Sequence, residues 1–78
     1  MKVLKKGADL LAFQNAVKLC VGDVLFETDD GDSLNLKSVL SNFLFSMMSA
    51  NQTYILSGHV VCLAEQDYLK LEAYSVEG

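Results

Sequence analysis

The sequence predicts a small single-domain α+β fold, and three observations carry that reading. Apolar positions recur at helical spacing in three segments and alternate with period two between them. An Asp-Gly turn signal separates two of the alternating runs. No Pro, linker or internal repeat divides the chain, and with 78 residues and 51% apolar side chains it has material for one core and no deep pocket. A single domain over residues 1–78 is therefore expected.

In chain order, Val3 and Leu4 form a short strand between lysines, closed by Gly7 and expected at a sheet edge. Asp9 is placed to cap a helix in which Leu10, Phe13 and Val17 fall on one stripe, widened by Ala16 and Cys20 and ending near Gly22. From Val24 the period becomes two: Val24, Phe26 and Thr28 face one way, Leu25 and Glu27 the other. Leu34 and Leu36 resume that alternation beyond Asp30-Gly31, which predicts a hairpin over residues 24–36. Asp29, Asp30 and Asp32 read as a solvated turn, since a calcium loop needs spaced oxygen ligands and a distal Glu.

Ser38 opens a second helix running to about Asn51, its hydroxyl free to cap the first N–H groups and Leu40, Phe43, Leu44 and Met47 forming the expected core stripe. Phe45 and Met48 lie off that stripe, so the helix has more apolar surface than one buried face needs. Either a neighbouring element or a partner covers the surplus. Thr53 to Cys62 is rich in β-branched and aromatic residues and predicts a strand bent at Gly58. Ala64, Tyr68 and Leu71 then predict a third helix, with Asp67 and Lys70 pairing on its wet side. The expected order is βαββαβα.

The charge balance narrows the function. A net charge of −4 and the absence of Arg argue against nucleic acid, whose phosphates are gripped by clustered Lys and Arg. No apolar run approaches a membrane span, and the opening MKVLKKG is too short for a signal peptide, so the expected location is the cytoplasm. Cys20 and Cys62 are not in a CxxC pair and read as buried thiols. The sole histidine, His59, reads as a surface or partly packed residue. With no nucleophile–base set, metal cluster or phosphate loop, no catalytic residue, metal or cofactor is expected, and the chain is not read as an enzyme.

One segment is more specific. Asp30-Gly31-Asp32-Ser33-Leu34-Asn35-Leu36-Lys37-Ser38-Val39-Leu40 resembles the stretch of the phosphocarrier HPr family that runs from a tight turn through a strand, V-N-[LA]-K-S-[IL]-M, into the second helix, with Asn35, Lys37 and Ser38 in register. Asp23-Val24 upstream and Leu71-Glu72-Ala73-Tyr74 downstream extend the similarity from Gly7 to about Tyr74. The resemblance implies an HPr-like open-faced β-sandwich, a four-stranded antiparallel sheet with three helices on one face. It also implies a place in the bacterial phosphoenolpyruvate-dependent sugar phosphotransferase system. Where the family carries G-[IL]-H-A-R-P-A, however, this chain has Gly7-Ala8-Asp9-Leu10-Leu11-Ala12, without the phosphate-accepting His or its Arg. Asn42 stands where an aliphatic is expected, and Tyr54 to Leu63 exceeds the family pattern by one or two residues.

What the resemblance then implies is a regulatory or partner-binding variant, in sugar transport or carbon catabolite regulation, that carries no phosphate on histidine. Ser38 matches the serine phosphorylated by a dedicated kinase, and a helix N-terminus with Lys37 beside it suits a phosphate. A cap alone also explains Ser38 completely, and is the favoured reading of the two. Lys37, Val39, Leu40, Phe43, Phe45 and Met48 are the expected partner-binding residues, since the corresponding helix of HPr-like proteins contacts partners; the five apolar ones read about equally well as core, because Leu40 and Phe43 already belong to the stripe. A kinase or a transcriptional regulator is the implied class of partner. The alternative is an unrelated small interaction or ligand-binding module, for which N-L-K-S is coincidence.

Overall fold

A computed structural model describes the whole chain, residues 1–78. The elements run β1 (Lys2–Leu4), α1 (Leu10–Lys18), β2 (Val24–Glu27), β3 (Ser33–Asn35), α2 (Val39–Met48), α3 (Gln52–Ser57), β4 (His59–Cys62), α4 (Asp67–Leu71) and β5 (Ser75–Glu77). All strand pairs are antiparallel, in the order β3-β2-β4-β1-β5.

The α+β class is as expected, but the sheet has five strands rather than four and the chain four helices rather than three. Two local effects account for the difference. Asn51 accepts the Tyr54 N–H at 3.2 Å and caps a helix, so the first half of the expected strand at Thr53–Cys62 becomes α3, and only His59–Cys62 is extended. At the other end, helix α4 is five residues long and stops at Leu71. The chain turns through the Tyr74 N–H to Leu71 carbonyl bond, 3.0 Å, and Ser75–Glu77 pairs with β1. Leu71 to Tyr74 thus forms a helix end and a turn, and β1 lies inside the sheet instead of at its edge.

The first half of the chain follows its pattern closely. Asp9 caps α1, accepting the Ala12 N–H at 3.0 Å, and Phe13, Val17 and Cys20 are buried. The β2–β3 hairpin pairs Leu25 with Asn35, Phe26 with Leu34 and Glu27 with Ser33. Its turn closes with the Thr28 N–H on the Asp32 carbonyl, 2.9 Å, and places Gly31 at φ 90°, a conformation that glycine adopts without strain.

One face of the sheet, Leu4, Val24, Phe26, Val60 and Cys62, builds the core together with Phe13 and Val17 of α1, Phe45 of α2, Ile55 of α3 and Leu71 of α4. All four helices therefore pack on the same face. Aromatic contacts link them: Phe45 lies 6.0 Å from Phe13 and 5.1 Å from Phe26, whose ring is also 5.5 Å from that of Tyr54.

Asp67 departs from its expected position. It does meet Lys70, at 3.2 Å, but its carboxylate is fully buried rather than solvated, and it accepts the backbone N–H groups of Val21, 3.0 Å, and Gly22, 2.8 Å. Burial raises the carboxyl pKa, yet the Gly22 and Val21 donors together with Lys70 outweigh it and hold the group below the ordinary carboxylate range. The end of α1 is thereby tied to α4.

Candidate docking surface

The N-L-K-S segment forms the β3–α2 turn. Leu36 is buried, and its N–H reaches the Val24 carbonyl at 2.7 Å. The Asn35 side chain accepts the Lys37 N–H at 3.0 Å and its carbonyl accepts the Ser38 N–H at 2.9 Å, which closes the turn. The Lys37 ammonium donates to the Cys20 carbonyl and so bridges this turn to the end of α1. Lys37 is exposed but engaged within the fold, which gives it a structural role beside the expected docking one.

Ser38 is exposed and occupies the N-cap position of α2 with extended backbone, φ −79° and ψ 132°. Its carbonyl accepts the Asn42 N–H at 2.8 Å, but its hydroxyl makes no cap bond. The side-chain cap expected from the sequence is thus not formed.

Helix α2 is turned relative to its expected stripe. Leu40 is 68% exposed, Phe43 59% and Met47 63%, and Leu44 is also exposed, although these four were the expected core positions. Phe45, expected at a docking surface, is instead fully buried between Phe13 and Phe26 and belongs to the core. Two features fix this orientation. The Phe45 ring fills the gap between α1 and the sheet, and the buried Gln14 amide of α1 donates to the Asn42 carbonyl and side chain, 3.3 and 3.0 Å, and to the Ser46 hydroxyl, 2.7 Å. Asn42, half-buried, and Ser46, exposed, are both engaged by α1, and the apolar stripe is left outside.

At about 100° per residue, Val39, Phe43, Met47, Leu40, Leu44 and Met48 follow one another around about half the helix circumference. Val39 is 88% exposed and Met48 40%. Of the expected partner-binding residues, Val39, Leu40, Phe43 and Met48 therefore share one continuous outward surface, to which Leu44 and Met47 belong as well. The sequence held a signal for these last two: Asn42, Ser46 and Ser49 recur at i, i+4 and i+7 and mark a polar side that needs a polar neighbour.

Outside α2, Leu11, Leu19, Val21, Leu63 and Leu69 are also exposed. His59 lies on the sheet face away from the helices, its Nε2 3.3 Å from Glu27 Oε1 on the adjacent strand. Cys20 and Cys62 are buried and unpaired. Burial, with the nearby Cys20 and Asp67, pushes the Cys62 thiol up to about 11. No group of three or more His, Cys, Asp or Glu side chains is placed to hold a metal ion, and no helix is long and apolar enough to cross a membrane. An open cleft is lined by Lys2, Glu65, Gln66, Tyr68 and Leu69. No family model matches the chain, and no curated protein or solved structure matches it.

Proposed function

We propose that this chain is a partner-binding protein with no catalytic role of its own, and that it docks through the outward face of α2. The observation that carries this reading is the exposure of six large apolar side chains on one helix, while Phe45 and the Gln14 amide hold that helix by its other side. A single exposed leucine is ordinary; a continuous apolar half-cylinder is a contact surface.

The narrower form of the proposal is a regulatory variant of the HPr family that does not carry phosphate on histidine. It is supported by the N-L-K-S turn, by helices gathered on one face of an antiparallel sheet, and by Asp9, whose carboxylate caps α1 where the family has its histidine. A carboxylate in that position repels an incoming phosphoryl group, and His59 has Glu27 rather than a cation beside it. The exposed Ser38 is the candidate regulatory site, accessible to a kinase at a helix start whose N–H groups its own hydroxyl leaves free.

Incubation with the general phosphoenolpyruvate-dependent enzyme and, separately, with HPr kinase and ATP, followed by intact mass, tests the narrower form. The expected result is no gain with the first and one phosphate on Ser38 with the second. Acid-labile label on His59 or Asp9 overturns the first expectation. Binding to purified phosphotransferase components, compared between the wild type and Phe43→Asp, tests the docking surface itself.

A further inference from the structure

We propose that the partner seated on the α2 face is a second copy of this chain, the two α2 helices packing against each other across a twofold axis. The inference rests on the reading of that face as a docking surface and specifies its occupant.

Area is the first argument. Six side chains between 40% and 88% exposed offer roughly 600 Å² of apolar surface, at the upper end of what a monomer ordinarily leaves uncovered. Two such faces together present about 1,200 Å², the lower limit for a specific interface, and two packed helices cover the facing part of it, so the expected contact is small and weak.

Charge is the second. Residues 38–58, which contain all of α2 and α3, include no Asp, Glu, Lys, Arg or His. In a twofold contact each surface meets itself, so any charge on it meets a like charge. Each copy carries a net charge of −4, and α2 is where two copies can approach without bringing acidic groups together. The same composition disfavours a membrane: an interfacial helix draws on Lys and Arg flanking its apolar face, and an acidic chain is repelled by anionic lipid.

Pattern is the third. Leu40, Phe43, Leu44 and Met47 stand at i, i+3, i+4 and i+7, the spacing of a helix–helix seam. Within one copy this seam faces outward; a second α2 supplies the matching surface, with Leu40 and Met47 near its centre and Val39 and Met48 at its borders.

Sedimentation velocity and light scattering on the full chain, from about 1 to about 500 μM, test the proposal; for an interface this small the expected result is a monomer–dimer equilibrium in the micromolar range. Leu40→Asp and Phe43→Asp are expected to sediment as monomers throughout while keeping the wild-type circular dichroism and, at the dilute end where the wild type is also monomeric, its unfolding midpoint. A monomeric wild type over the whole range overturns the proposal, as does a dimer that both variants leave intact. Binding of the monomeric wild type to phosphatidylcholine vesicles also overturns it, in favour of a lipid surface. If the wild type is monomeric and a phosphotransferase component binds it but not Phe43→Asp, the second copy is ruled out and the docking surface stands. If it dimerises and no such component binds, the phosphotransferase reading fails alone.

Discussion

The Gln14 amide nitrogen on α1 donates to the Ser46 hydroxyl on α2 at 2.7 Å, and this bond lies on the side of α2 away from its apolar stripe. Ser46 in turn donates to the Asn42 carbonyl at 3.1 Å, so Gln14, Asn42 and Ser46 form a closed polar contact between the two helices. Left without partners, a mostly buried amide costs more than its hydrogen bonds are worth in water, so the pairing weighs against rolling α2 inward on its leucines. The outward Leu40–Met47 stripe follows from this contact as much as from the packing of Phe45.

Phe45 and Phe43, two residues apart on α2, should therefore respond in opposite ways to substitution. Phe45→Ala is expected to remove about 3–5 kcal/mol, because the ring joins Phe13 to Phe26 and leaves a cavity behind. Phe43→Asp is expected to stay within about 0.5 kcal/mol, as a substitution on an exposed site does. Urea unfolding of both variants checks this. A large loss for Phe43→Asp would place the outer face inside the core.

The same pair shows where sequence reasoning reached its limit. Periodicity gave α1 and the β2–β3 hairpin their faces, because Phe13 and Val17 repeat at helical spacing and Val24 and Phe26 at period two, and all four are buried. In α2 apolar residues occupy more than half the circumference, so counting them does not reveal which side is inside; the Phe45 packing and a glutamine 28 residues away from Asn42 decide it together. Three-residue β5 holds one large apolar side chain, Val76, too few for a pattern. In α3, Tyr54-Ile55-Leu56 suits a strand by propensity, and the Asn51 cap overrides that preference. The docking residues were legible as a surplus of apolar surface, but not their orientation.

Gly58 joins α3 to β4 with φ −95°, an ordinary backbone angle, so what it supplies is space. A Cβ there would lie 2.3 Å from the Cζ of Phe26, whose ring is fully buried and held by Phe45 and Tyr54. Gly58→Ala is expected to cost about 1–3 kcal/mol through displacement of that ring. Thermal unfolding provides the measurement, and Phe26→Leu in the Gly58→Ala background should recover part of the loss by making room. Stability equal to wild type in the single variant would show that the ring moves freely.

Asp67 links stability to acid. Its carboxyl is held below the ordinary range in the folded chain by the Gly22 and Val21 N–H groups and Lys70, despite the opposing effect of burial. A depressed native pKa means that the charged clamp contributes fully above the ordinary carboxylate range and is lost as pH falls through the native value. The urea midpoint of the wild type should therefore fall on the acid side, and its advantage over Asp67→Asn should be largest near neutrality and shrink as pH drops. Parallel curves for the two proteins at every pH would remove Asp67 from the acid response.

Ser38 is the position at which structure and regulation separate most cleanly. A serine that caps a helix through its hydroxyl loses about 1 kcal/mol on conversion to alanine. Here the hydroxyl makes no such bond, and the turn is closed by the Asn35 side chain and carbonyl instead. Ser38→Ala is accordingly expected to change stability by less than about 0.5 kcal/mol. A phosphate on Ser38 would find the uncapped N–H groups at the start of α2, and its interaction with the helix dipole is expected to raise the melting temperature modestly at low salt. Lys37 contributes little to this while its ammonium remains on the Cys20 carbonyl. Treatment with HPr kinase and ATP, read by intact mass and followed by melting in low and high salt, checks each step. A mass gain that persists in Ser38→Ala would move the modification elsewhere, and a stability loss near 1 kcal/mol in that variant would return Ser38 to a capping role.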